Sequence, residues 1–277
     1  MEWTDKAILL TVAKAAGGGL SLEIFTHKRG RCACVTKLDK EKIPILLPGS
    51  FLLAKVSPGA PGKPSKAELK GADGGIIAES AKDSSLTVLS CVKDMFGTFL
   101  GFGEPAKELF EIFESLMTSI IAEDNRWPLH YALLEFELLN TMGFVKGMSE
   151  CKPAFRHGDT IYLAPSKGRV YPRERVGAFL DQMLPVPGFL MGARNGSIAE
   201  FHQAIELTTS LFKIFALREA NADGLPQVRS KLLEITNSIR QIPALDKDEQ
   251  PVIDIESRRK RLLALRPLMV ARRSMQG

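Results

Sequence analysis

Up to about residue 80 the apolar positions fall in short runs broken by glycine and proline. Ala7-Ile8-Leu9-Leu10 runs toward the glycine turn at 17–19, and Leu20, Leu22 and Ile24 then alternate with polar neighbours, the period of a half-buried strand. His27-Lys28-Arg29-Gly30-Arg31 reads as a hairpin turn leading into Cys32-Ala33-Cys34-Val35. Runs at Ile43–Leu47 and Phe51–Val56 flank the turn pair Pro48-Gly49, Ser57–Pro64 reads as a loop, and Glu68-Leu69 with Ile76-Ile77-Ala78 would close the set. Short strands at this spacing, separated by turn residues, predict a small barrel.

From about Asp83 the period becomes helical. Leu89, Val92, Phe96 and Leu100 make one face, and Pro105 opens a helix with Leu109, Phe113, Leu116 and Ile120 inward. Pro128 suits the first turn of a third helix carrying Leu129, Leu133, Phe136 and Leu139 on one side, and Gly143 ends it. Cys151 then falls in a loop before a hairpin, Ile161-Tyr162-Leu163 to Arg169-Val170-Tyr171, turned at Gly168. A short helix fits within Pro172–Met183. Ser197 with Glu200 is a capping box for a helix bearing Phe201, Ile205, Thr208, Phe212 and Phe215. Pro226 opens another with Val228, Leu232, Ile235 and Ile239, 243–251 reads as a linker, and the rest is a basic tail.

Charge sharpens this picture. The net charge is +5, but residues 1–80 hold 12 Lys and Arg against 8 Asp and Glu, and residues 254–277 hold 7 against 2, so both ends are basic and the middle is acidic. That distribution fits a polyanionic partner as well as an ordinary solvated surface. Glu2 and Asp5 stand where a secretory leader would be basic, and no apolar run is long enough to span a bilayer, so a cytoplasmic protein without membrane partners is expected.

The motifs of enzyme chemistry are missing. Gly17–Gly19 lacks the G-K-[ST] ending of a phosphate loop, and Gly101-Phe102-Gly103 lacks the third glycine of a dinucleotide fingerprint. His27, His130, His157 and His202 are scattered, and Glu135 and Glu137 point to different sides of their helix. Cys32, Cys34, Cys91 and Cys151 form no C-x-x-C pair, so reduced thiols without a metal are expected. A site assembled from residues far apart in sequence stays open, which keeps an enzyme on a helical scaffold as an alternative.

The middle of the chain resembles the bacterial DNA repair protein RecO family, a recombination mediator. Phe136-Glu137-Leu138-Leu139-Asn140 with Gly143-Phe144 and then Cys151 is similar to that family's central helix and the cysteine after it. Met1-Glu2-Trp3-Thr4-Asp5, Leu22-Glu23-Ile24 with Thr26, Gly30-Arg31, the run from Phe201 to Leu211, and Leu225-Pro226 with Arg229 look like the family's other landmarks, in order, up to about residue 242. The resemblance implies an α+β chain: an OB-fold barrel at 1–80, an all-helical domain with a small β-hairpin insertion at 81–242, and a linker and basic tail at 243–277. It implies a non-catalytic accessory protein of DNA repair and recombination that displaces the single-strand-binding protein SSB, pairs with RecR, helps load the recombinase and anneals strands, with no cofactor.

Three residue sets are expected to carry this work. Lys28, Arg29, Arg31, Lys37, Lys40 and Lys42, in and after the third strand, would contact single- and double-stranded DNA on the barrel. Arg258, Arg259, Lys260 and Arg261 form a collar that offers a second DNA contact or simply a solvated end. Phe136, Leu139 and Phe144 would line a trough for the acidic SSB C-terminal tail, and the same residues also fit a helical core. The family often has arginines immediately before its F-E-L run; Leu134 and Glu135 stand there, so Arg126, Arg229, Lys231 and Lys146 are the candidate cations for the peptide carboxylate. A generic single-strand-binding module without a mediator role is the other reading.

Overall fold

The computed structural model describes residues 1–15, 18–37, 46–60, 62–70, 83–122, 124–237, 239 and 241–242. Five strands, β1 (Trp3–Lys14), β2 (Leu20–Thr26), β3 (Gly30–Thr36), β4 (Phe51–Ser57) and β5 (Ser65–Lys70), close into a barrel in the order β1-β2-β3-β5-β4. That is the Greek-key connectivity of an OB-fold. Residues 43–45 and 76–78 lie outside the described residues; Leu46 and Leu47 are not in a strand, and the last described strand of the barrel is Ser65–Lys70.

The apolar run in β1 has two faces to bury. Ala7 and Leu9 join Leu22, Ile24, Cys34, Leu52, Ala54, Val56 and Ala67 inside the barrel. Ile8 and Leu10 point the other way, into the helical core, together with Phe25 of β2. The register slips between Leu9 and Thr11, a bulge that leaves Leu10 without a partner on β2. A strand covered on both sides has no polar face to alternate with, which is why this run reads as continuous.

The helices follow: α1 (Asp83–Phe99), α2 (Lys107–Ile121), α3 (Trp127–Thr141), α4 (Met148–Arg156), α5 (Ile198–Leu211) and α6 (Gln227–Thr236). The helix of α5 runs on through a π turn at Phe212–Ala216 to Glu219. Phe25 seats against Phe96, Phe110 and Phe113 at centroid distances of 4.8, 5.8 and 6.3 Å, so its ring belongs to the barrel–helix junction. The centre of the helical region is α3, where only Glu137, Asn140 and Thr141 escape full burial. The single face expected for it was therefore too narrow: this helix is wrapped, which no one-sided pattern describes. The Ser197–Glu200 capping box is formed at the start of α5, with Glu200 N–H donating to Ser197 Oγ at 3.2 Å.

Between α4 and α5 lies a small antiparallel sheet, β6 (Ile161–Ala164), β7 (Arg169–Pro172) and β8 (Leu184–Pro185), ordered β7-β6-β8. The expected hairpin thus gains a third strand. Cys151 is buried within α4 rather than in a loop, and the stretch after β7 forms short 3-10 turns at Arg173–Arg175 and Gly177–Gln182.

Candidate nucleic-acid interface

The barrel is incompletely zipped on one side. Among the described residues, β3 and β5 pair only at Cys34–Ser65 and Val35–Lys66, and the upstream edge of β3 meets no described strand there. The chain leaving α1 covers part of that edge: Gly103 N–H donates to Arg31 O at 2.8 Å. Glycine at position 30 permits this approach, since its φ is +63° and a Cβ would meet Glu104 O at 1.8 Å.

Beside this seam opens a cleft of about 640 Å³, lined by Trp3, Lys28, Arg29, Arg31, Cys32, Ala33, Val56, Ser65, Phe102, Gly103 and Pro105. No acidic side chain is among these described lining residues. Lys28 and Arg29 are exposed on the β2–β3 turn, and Phe102 is 59% exposed. The turn is pinned from below: the buried Asp5 carboxylate accepts from Lys28 N–H at 2.6 Å and from Lys6 N–H at 2.9 Å, and Thr26 Oγ1 accepts from Arg29 N–H at 3.2 Å. The Arg29 guanidinium carbon lies 5.1 Å from the centre of the Trp3 ring. Cations and aromatic rings are thus presented together on a fixed scaffold, the combination that holds phosphates and stacked bases of a single strand.

The other expected barrel contacts are placed differently. Arg31 is only 6% exposed; its Nε donates to Glu23 at 2.8 Å and its Nη1 to the carbonyls of Phe96, at 2.7 Å, and Leu100. It caps the end of α1 and clamps the barrel to the helices, with the Phe102 ring 4.3 Å from its guanidinium carbon. A side chain so committed forms a wall of the cleft rather than a free phosphate ligand. Lys37 is exposed but follows the far end of β3, roughly 20 Å from Arg31 at about 3.3 Å per residue, so it does not join Lys28 and Arg29. Lys40, Lys42, Arg258, Arg259, Lys260 and Arg261 lie outside the described residues.

The expected peptide trough is not assembled as drawn. Phe136 and Leu139 are buried in α3, and Arg126 is 8% exposed and paired with Asp124 at 2.9 Å. Arg229 is 5% exposed and grips Glu135 through two bonds, Nε to Oε1 at 2.6 Å and Nη2 to Oε2 at 2.9 Å. Tyr131 and Thr208 donate to the same carboxylate, and Cys91 lies 3.2 Å from the Tyr131 hydroxyl. Burial disfavours the Arg229 charge, but the adjacent Glu135 carboxylate outweighs it and holds the guanidinium even more firmly protonated than usual. Of the expected groove residues, Lys231 is exposed and Phe144 is half-buried, its ring stacked on Phe215 at 5.6 Å.

Phe102 is the site residue that motif reading passed over. Its signal was present: an aromatic between Gly101 and Gly103 has no neighbouring side chains to cover it.

No family model matches the chain. Individual proteins do. A DNA repair protein RecO of Roseobacter denitrificans is 27% identical over 245 residues, covering 84% of this chain and 98% of that protein. RecO of Cereibacter sphaeroides is 26% identical over 245 residues, with 85% and 98% covered, and RecO of Caulobacter vibrioides is 25% identical over 237 residues, with 84% and 97% covered. On a five-stranded barrel followed by helices and a small sheet, this chain is thus similar to RecO proteins through nearly the whole length of each of these relatives.

Proposed function

We propose that this protein is an accessory factor of DNA repair and homologous recombination, binding single-stranded DNA at the barrel seam. What carries the reading is the cleft that Lys28 and Arg29 line together with Trp3 and Phe102, with no acid among its described lining residues, on a chain alike to RecO proteins along almost their full length. Phosphates sit on the two cations and a base lies against an aromatic ring. No step requires a cofactor or a covalent intermediate.

In the finer version the protein works in the cytoplasm, takes strands from SSB, pairs with RecR, assists recombinase loading and anneals complementary strands, with the barrel (1–80), helical domain (81–242) and basic tail (243–277) as separate working parts. With Arg126 and Arg229 committed elsewhere, the half-buried Phe144–Phe215 pair beside exposed Ile214, with Arg218 one turn further along, is a better seat for the hydrophobic, acidic SSB tail. Holding SSB close to the strand being transferred raises its effective concentration there.

The test is a salt titration of fluorescein-labelled (dT)25 binding by the whole chain and by its K28E/R29E variant, with an SSB pull-down in parallel. The reading requires weaker binding by the variant and a shallower salt slope, by roughly 1.4 for two lost single-strand phosphate contacts. An unchanged slope removes the seam as the DNA site. Equal capture of SSB and of SSB lacking its last residues removes the mediator role and leaves a plain single-strand-binding module.

A further inference from the structure

The acidic average of the middle segment conceals a basic lobe. Residues 146–175 hold seven Lys and Arg against three Asp and Glu. They include the small sheet, whose two faces differ. Ile161, Leu163 and Val170 are 1%, 0% and 2% exposed and belong to the helical core. The alternate positions face outward, and there Tyr162 of β6 stands directly opposite Tyr171 of β7, with Pro185 of β8 on the other flank of Tyr162. Both tyrosines are half-buried, so their rings lie on a supported surface. Directly opposed residues of an antiparallel pair stand about 5 Å apart at Cβ, so both tyrosines rise from neighbouring positions on the same outward face.

Cations frame the patch. The Arg173 guanidinium carbon is 5.8 Å from the Tyr162 ring centre. Arg169 shares the outward face of β7 with Tyr171 by strand alternation, and an isolated bridge sets Lys146 beside it. Lys167, Arg173 and Arg175 are exposed. Of the three acids, Glu150 is already paired with Arg169, at 2.6 Å.

We propose that the Tyr162–Tyr171 face is a second binding platform for single-stranded nucleic acid, with bases stacked on the two rings and phosphates held by Arg173 and its basic neighbours. Charge complementarity selects the occupant: an acid-poor rim around two aromatic side chains on one face suits a flexible polyanion with exposed bases. A duplex hides those bases in its own stack. The platform stands apart from the barrel seam in sequence and in element, so it goes beyond the barrel reading and can survive that reading's failure. A chain with two strand-holding surfaces can present one strand to another without any catalytic group.

The experiment uses the full-length K28E/R29E protein, in which the seam is disabled, and follows (dT)25 by fluorescence anisotropy at low salt. Adding Y162L/Y171L should weaken the residual binding about tenfold or more, given the usual worth of base stacking on an aromatic side chain. Adding Y162F/Y171F should leave it within about twofold, because rings are retained. Adding R173Q should flatten the salt slope by about 0.7. Circular dichroism melts check that each variant is folded; should the leucine pair unfold the sheet, photocrosslinking of a 5-bromodeoxyuridine oligonucleotide to the wild-type chain decides instead, with adducts expected on the peptides carrying Tyr162 or Tyr171. Undiminished binding by a folded leucine variant, or adducts confined to the barrel, overturns the platform. If K28E/R29E alone changes nothing, the seam reading falls, while the tyrosine comparison still decides the platform.

Discussion

Removing one half of the Glu135–Arg229 pair should cost far more stability than removing both halves. The pair ties four helices together: Cys91 on α1, Tyr131 and Glu135 on α3, Thr208 and Thr209 on α5 and Arg229 on α6. Glu135 is 0% exposed and Arg229 5%. In Arg229→Met the carboxylate keeps only the Tyr131 and Thr208 hydroxyls as donors, and an uncompensated buried charge costs about 3–5 kcal/mol. For a chain of this size that lowers the melting temperature by roughly 6–20 °C. In Glu135→Leu with Arg229→Met both ions are gone, and apolar groups of similar bulk stand in the same space, a replacement that is often close to neutral. The Tyr131 and Thr208 hydroxyls then lose an acceptor, at about 1–3 kcal/mol each if neither finds another, so recovery should be partial. Urea unfolding with melts by circular dichroism gives the cycle directly. A single mutant that loses less than about 1 kcal/mol, or a double mutant no better than the worse single, refutes the structural role. The folded double mutant also tests the partner question, because it should still capture SSB if Arg229 is a strut rather than the peptide's cation.

Stability should fall on the alkaline side. Burial pushes the Cys34 thiol up to about 11 and the Cys91 thiol up to about 12, from an ordinary 9.0. The unfolded chain releases those protons first, so their contribution is whole below pH 9 and is lost as pH rises toward 11–12, at about 1.4 kcal/mol per pH unit per thiol. Urea midpoints at pH 8, 9.5 and 10.5 should show this fall, flatter in Cys34→Ala with Cys91→Ala; an unchanged pH slope in that variant would remove the thiols as its cause. Arg31→Gln should destabilise the protein by about 2–4 kcal/mol, since it strips the caps from the Phe96 and Leu100 carbonyls, and should leave the salt slope of DNA binding unchanged; a shallower slope at unchanged stability would restore Arg31 as a phosphate ligand. Gly30→Ala should destabilise strongly in thermal melts, because the new methyl lies 1.8 Å from Glu104 O at a positive φ; a neutral result would mean the seam-side loop can lift away freely.

Local signals in this chain were legible wherever one element decides its own form. The capping box at Ser197, the glycine stop at Gly143 and the turns around Gly30 and Gly168 all act within a few residues, and each is formed as its chemistry requires. What could not be read is which side of an element another element will cover. Ile8 and Leu10 look like their neighbours Ala7 and Leu9, yet a bulge and two helices send them to a different core. Arginine is the sharpest case. Arg29 and Arg31 are two apart, on the same turn and strand, and sequence ranked them alike. One stands exposed over Trp3 and the other is drawn under the end of α1, because Gly30 lets the chain after that helix lie against β3. Arg229 is consumed in the same way by Glu135, a residue 94 positions away. Net charge by segment fails for a related reason: it averages the basic lobe at 146–175 into an acidic middle, although folding sets Arg169 and Arg173 beside two tyrosines. Function in such a protein depends on which cations stay out of the internal pairs, and that is a property of packing. The seam and the tyrosine face are candidate sites because their cations border aromatic rings that the core leaves uncovered, so in both places the deciding measurement removes a ring or a charge and asks whether the strand notices.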